Sequence, residues 1–187
     1  MANNRTLEYL RLKLLRTPSY TEVLILLAAL SLNLLDSLTT LTVTLTGRGV
    51  ELNPVLRMLL NINPFLVYPF LISTLIPILL FRFNPVVEYG VATLMITIHL
   101  VATLNNVGVI ISRHTLAIPL LENLDIQFLA FLTGLIYIAG FTLYICIRDK
   151  LNRWRSIKLM IQNYALYLLA YLALGLIPII WLIAIRT

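Results

Sequence analysis

The sequence predicts an all-α integral membrane protein, a bundle of about five transmembrane helices preceded by an N-terminal amphipathic helix at the interface. Three observations carry this. Of 187 residues, 60% are hydrophobic and 12% charged, with mean hydropathy +0.93; soluble domains run nearer ~45–50% apolar and ~25% charged. Five apolar stretches approach the ~20 residues that cross a hydrocarbon core. Lysine and arginine gather beside those stretches, the pattern set by membrane topology and anionic headgroups. The net charge of +6 therefore points to lipid and not to nucleic acid.

Residues 1–19 form the amphipathic segment. Leu7, Leu10, Leu14 and Leu15 share one face of a helix, while Arg5, Arg11, Lys13 and Arg16 snorkel toward headgroups. Residues 20–187 form one five-helix transmembrane domain. The expected spans run from near Val23 to Thr46, Pro64 to Phe81, Val86 to Ser112, Ile126 to Ile147 and Leu159 to Ile185. Lipid offers no partner for an open strand edge, so all are read as helices. Asn63-Pro64 and Asn84-Pro85 each place a capping residue before a proline that has no N–H to lose, and these open the second and third spans. Asn53-Pro54 opens a short interfacial helix from Val55 to Leu60, and Asp125 caps the fourth span. Pro69 and Pro77 bend the second span and Pro178 the fifth.

Orientation follows from the basic residues. Arg5, Arg11, Lys13, Arg16, Arg82, Arg148, Lys150, Arg153, Arg155 and Lys158 fall on one side of a five-span chain, against Arg48, Arg57, Arg113 and Arg186 on the other. Ten against four puts the N-terminus in the cytoplasm and the C-terminus outside the cell membrane. Trp154 and Trp181, near opposite ends of the fifth span, suit interfacial anchors. No cleavable signal peptide or lipidation motif is evident. The lone Cys146 sits in an apolar run and reads as a packing residue.

Polar residues inside the spans are the informative ones. A carboxylate at mid-membrane costs ~2.5–3.5 kcal/mol on insertion scales, so Asp36 faces the bundle or a wet cavity. Asn33, Asp36, Thr40 and Thr44 recur every three or four residues and share a face, flanked by Ser37 and Thr39. The third span carries a matching stripe of Glu88, His99, Thr103, Asn106 and Arg113, with Asn105 beside it. The two spans run in the same direction, which brings Asp36 and His99 to similar depth. A carboxylate beside an imidazole handles protons or joins a metal site; the plainer reading is that these groups tie helices together. Zinc needs three or four close ligands, and Asp36, His99, Glu51 and His114 have no local spacing that assembles them, so no metal is assigned. His99 at mid-membrane and His114 near the outer surface are poor partners for one haem. The residues identify no cofactor. Glu51 and Asn53, in the outer loop, either cap and solvate or fold back over the Asp36 face; His114, Glu122, Asn123 and Asp125 lie at the same level. Tyr164, Tyr167 and Tyr171 on the fifth span read as packing.

The run Asn33-x-x-Asp36-x-x-Thr39, then Gly49-x-Glu51-x-Asn53-Pro54, then His99 followed by Asn105 and Asn106 resembles a family of small uncharacterised prokaryotic multipass membrane proteins, mainly archaeal. The likeness covers roughly residues 30–110. It implies the architecture and draws the eye to the polar residues, and it brings no activity with it. Members tend to carry a lysine in the second span, where this chain has none.

No Walker loop, dinucleotide fingerprint, GxSxG elbow or HExxH is present. The missing soluble domain favours a small accessory or assembly subunit of a membrane complex, with other membrane subunits as partners. A proton or cation transporter or channel using Asp36 and His99 is the second reading. An intramembrane enzyme acting on lipid or an embedded peptide is the third, with His99 or Asp36 as base and Asn105, Asn106 and Glu51 orienting the substrate or water.

Overall fold

The computed structural model describes residues 18–48, 54–112 and 126–186. Residues 1–17 of the amphipathic segment, and Glu51, Asn53, Arg113, His114, Glu122, Asn123 and Asp125, lie outside them. Every element among the described residues is helical. In chain order these are α1 (Tyr20–Leu45), α2 (Pro54–Ile62), a 3-10 turn (Pro64–Leu66), α3 (Val67–Ser73), α4 (Ile76–Leu80), α5 (Pro85–Ser112), α6 (Ile126–Arg148) and α7 (Arg153–Arg186).

Four helices, α1, α5, α6 and α7, are long and apolar enough to cross a bilayer. Only 17–33% of their most apolar windows is buried inside the protein. The remainder displays leucine and isoleucine outward, as at Leu27, Leu38, Ile136, Leu169 and Ile183. Water would not tolerate that surface, and hydrocarbon does.

Local chemistry sets the helix starts. Ser19 opens α1 with a capping box, its hydroxyl accepting from Glu22 N–H while the Glu22 carboxylate accepts from Ser19 N–H. Asn63 Oδ1 accepts from Phe65 N–H, and Asn84 Oδ1 from Val86 and Val87 N–H. The short helix expected over Val55–Leu60 is α2, one residue longer at its start and two at its end. The fifth apolar helix begins at Arg153, six residues before the expected Leu159, because Asn152 caps it by accepting from Arg155 N–H.

The second apolar stretch departs from a single bent helix. It is three short pieces, interrupted at Thr74 and Leu75. Pro77 has no N–H to return to Ser73, so the chain tightens into i→i−3 bonds there: Thr74 N to Leu71 O, Leu75 N to Ile72 O and Ile78 N to Leu75 O. Pro69 sits in the first turn of α3, where a missing N–H costs nothing, and Pro178 leaves α7 continuous.

Side-chain contacts fix the directions of the helices. Glu22 meets Arg82, just before α5, at one end, and Asp36 and Thr40 of α1 meet Asn106 of α5 further along. Helices α1 and α5 are therefore parallel, and the Pro64–Leu80 stretch carries the chain back between their ends. Thr97 meets Thr133, and Gly90 approaches Gly134 and Ile138, so α6 runs antiparallel to α5. Asn84 meets Asn163 at the start of α5, and α7 runs parallel to it.

Helices α5 and α6 meet on a small-residue seam. A Cβ on Gly134 would stand 2.0 Å from Tyr167 Oη and 3.0 Å from the Gly90 carbonyl, and one on Gly90 2.7 Å from Ile138 Cγ1. Tyr167 is wholly buried, stacks on Phe131 with centroids 5.5 Å apart, and donates its hydroxyl to the Phe131 carbonyl at 3.0 Å. Tyr171 packs on the same ring. Trp181, read from sequence as an interfacial anchor, reaches inward instead. It meets Phe70 edge-on and donates to Ser73 Oγ at 3.2 Å, joining α7 to α3.

Overpacking this seam is expected to cost about 1–3 kcal/mol. Gly134→Ala should lower the thermal midpoint in detergent, while Gly140→Ala, whose Cβ would meet nothing within 4 Å, should leave it unchanged.

Candidate functional site

The parallel arrangement of α1 and α5 brings their polar stripes together. Asn33 is fully buried, His99 is 1% exposed, Thr40 5% and Asp36 6%. Asp36 Oδ2 lies 2.9 Å from His99 Nδ1. Its other oxygen, Oδ1, accepts from Thr40 Oγ1 and Asn106 Nδ2, each at 3.4 Å. Asn106 Nδ2 also donates to Thr40 Oγ1 at 3.0 Å and Thr39 Oγ1 at 3.3 Å.

The far side of the imidazole faces the interrupted segment. Asn33 Nδ2 lies 3.0 Å from His99 Nε2 and donates to the Leu71 carbonyl at 2.7 Å. Thr74 Oγ1 donates to the same carbonyl at 2.6 Å and stands 3.5 Å from His99 Nε2. The pair thus sits where α1, α5 and the α3–α4 break converge.

This network assigns the ring protons. The Leu71 carbonyl can only accept, so Asn33 must present its NH₂ and not its oxygen. That NH₂ then donates to His99 Nε2, which must be bare. A neutral imidazole carries one N–H, and it lies on Nδ1, aimed at the Asp36 carboxylate. Asp36 receives donors on both oxygens, the arrangement that suits an ionised carboxylate. One backbone carbonyl in one element fixes the tautomer of a histidine in another.

Of the residues singled out from sequence, Asn33, Asp36, Thr40, His99 and Asn106 meet in this cluster, with Thr39 at its edge. Ser37 turns to its own helix, donating to the Asn33 carbonyl. Thr103 Oγ1 is buried without a hydrogen-bond partner, as is Asn33 Oδ1. Asn105 lies one residue round the helix from Asn106, half-buried, and takes no part in the cluster's hydrogen bonds. Glu88 is buried three turns before His99, toward the end where Glu22 pairs with Arg82 at 3.8 Å. Among the described residues no three of His, Cys, Asp and Glu converge.

Two participants escaped the sequence reading because they lie on the stretch expected to be a plain spanning helix. The Leu71 carbonyl has no sequence signature. Thr74 had one, a hydroxyl three residues before Pro77, where the backbone loses a donor. A second polar clamp also went unread. Asn84 Nδ2 donates to Asn163 Oδ1 at 2.9 Å, and Asn163 Nδ2 to Thr142 Oγ1 at 3.0 Å, tying the start of α5 to α6 and α7. The lone asparagine in the apolar run of α7 was its signal.

No family model, curated protein or solved structure matches this chain.

Replacing Asn33 by Leu strands the buried His99 Nε2 acceptor and should cost about 1–3 kcal/mol. Asn105→Leu should change stability by less than about 0.5 kcal/mol. Unfolding in mixed micelles would measure both; equal losses would contradict the assigned network.

Proposed function

We propose that the chain is a five-crossing membrane protein that moves protons, alone or coupled to a second solute, through the Asp36–His99 pair. The observation that carries this is the 2.9 Å contact between Asp36 Oδ2 and His99 Nδ1, set against the break at Thr74 and Leu75. Interrupted helices beside buried ionisable groups are how membrane carriers build sites at mid-bilayer. Two parallel helices also require a return crossing, and the Pro64–Leu80 stretch is the one that connects α1 to α5.

The hydrogen-bond polarity supplies a coupling step. A proton arriving at His99 Nε2 converts that atom from acceptor to donor, and it then confronts the Asn33 NH₂ at 3.0 Å. Asn33 can accept it by turning its amide over, which satisfies the Oδ1 now without a partner. The turned amide sets oxygen against the Leu71 carbonyl at 2.7 Å, two acceptors in contact. The broken segment must then move away from α1. Protonation at the imidazole is thereby linked to displacement of this discontinuous segment, with Asp36 holding the counter-charge.

Acid–base chemistry on a substrate fits less well. The pair is closed off from the surface, and the polar atoms of His99 and Asp36 are already bonded to protein groups. A subunit of a larger complex is the second reading, favoured by Gly140 and Gly175. Both lie exposed on apolar helices with open space where a Cβ would stand, which would let another helix approach.

In proteoliposomes carrying a pH-sensitive dye, the parent should dissipate an imposed proton gradient. Asp36→Asn and His99→Gln should lower that rate at least tenfold while eluting as folded protein. Equal rates in parent and variants would remove the pair from the mechanism. In a Cys146→Ala background, a cysteine at Asn152 should react with an impermeant reagent from the cytoplasmic face, and one at Ile62 from the outer face. The reverse pattern, or labelling of both from one face, would refute the five-crossing orientation.

A further inference from the structure

The turn between α6 and α7 holds a feature that the proton reading does not use. A groove of about 650 Å³ lies between the end of α6 and the start of α7. Its apolar wall includes Leu143 and Ile147 on α6 and Ile157 and Met160 on α7, and its polar rim is Lys150, Arg153 and Ser156. Leu143, Ile147 and Ile157 are 52%, 68% and 40% exposed, so the protein itself leaves the wall uncovered. Tyr144 and Trp154, both exposed, flank the turn and mark headgroup depth.

Lys150 occupies this rim at a conformational cost. Helix α6 ends in a Schellman turn, with Leu151 N donating to the Cys146 carbonyl at 3.0 Å and Lys150 N to Ile147 at 3.2 Å. The residue at the turn is left-handed, with φ +48°. Glycine takes that conformation freely and lysine does not. Among the described residues it is the one non-glycine with positive φ. A strained side chain kept at a particular place points to use of that side chain. The neighbouring carboxylate, Asp149, is engaged by Arg148 at 2.6 and 3.0 Å and so does not offset the charge on Lys150 and Arg153.

We propose that this groove is a binding site for one anionic phospholipid of the surrounding leaflet, its phosphate held between Lys150 and Arg153, and its acyl chains lying along Leu143, Ile147, Ile157 and Met160. Charge complementarity selects the headgroup, and the exposed apolar wall selects a lipid over a free anion. The amphiphilic layout matches a molecule with a charged end and an apolar length.

The test uses the full chain in nanodiscs of phosphatidylcholine doped with phosphatidylglycerol, with lipid retained after extraction read by native mass spectrometry. At about 0.15 M ionic strength, where the Debye length is about 8 Å and diffuse attraction is screened, the parent should retain one phosphatidylglycerol in preference to phosphatidylcholine, and added inorganic phosphate should not displace it. Lys150→Gly is the decisive variant, because glycine relieves the positive φ and leaves the fold at least as stable. It should lower the preference about fivefold, as should Arg153→Gln. Arg155→Gln, in the same turn and outside the groove, should leave the preference intact. Unchanged retention in Lys150→Gly would overturn the site, as would an equal loss in Arg155→Gln, which would mean diffuse attraction only. Displacement by phosphate would also overturn it, by showing an anion site without lipid selectivity.

Discussion

The carbonyl of Leu71 constrains more of this molecule than any side chain does. In an unbroken helix its partner would be the N–H of Leu75. The break before Pro77 redirects that N–H to Ile72 and leaves the Leu71 oxygen facing α1 and α5. That oxygen accepts instead from Thr74 N–H at 3.1 Å, and Asn33 Nδ2 and Thr74 Oγ1 donate to it as well, at 2.7 and 2.6 Å. Once Asn33 commits its NH₂ to Leu71, the His99 tautomer follows, and with it the direction of the His99–Asp36 hydrogen bond. A backbone break between α3 and α4 thus sets the proton positions on α1 and α5.

The bundle divides its labour around that point. Near the start of α5, Asn84, Asn163 and Thr142 form a closed donor–acceptor chain, and the Gly90–Gly134 contact lets two backbones approach with Tyr167 filling the space beside them. These contacts have no alternative polarity. The Asn33–His99–Asp36 chain differs, because one extra proton reverses the requirement at Nε2. In the proposed mechanism the α3–α4 segment, tied to α7 by Trp181, moves relative to α1 while α5, α6 and α7 stay together.

Much of the helical framework was legible in the sequence. The apolar lengths gave the four long helices, and Asn63-Pro64 and Asn84-Pro85 marked true starts because proline and an Asx cap act within two or three residues. Asn33, Asp36, Thr40, His99 and Asn106 came together because helical spacing and parallel direction suffice to align two stripes. Spacing alone did not reveal the break at Thr74 and Leu75. Apolar composition was the same on both sides of it, and the consequence of Pro77 depends on which neighbours can take over the released groups. The capping box of Ser19 and Glu22 was readable but lay outside the apolar window. Asn163 was passed over because one asparagine in an apolar run gives no hint of the partner it will find.

The shortness of the interrupted stretch has an electrical consequence for the proposed five-crossing arrangement. Pro64–Leu80 contains 17 residues, which at helical rise reach about 26 Å, less than the ~30 Å of a typical hydrocarbon core. As a crossing it would draw headgroups or water inward to meet its ends. A transmembrane voltage would then fall over a shorter path beside α3 and α4 than elsewhere around the bundle. Any charge that comes or goes on His99 sits within that steeper gradient, so its occupancy would respond to voltage as well as to proton concentration.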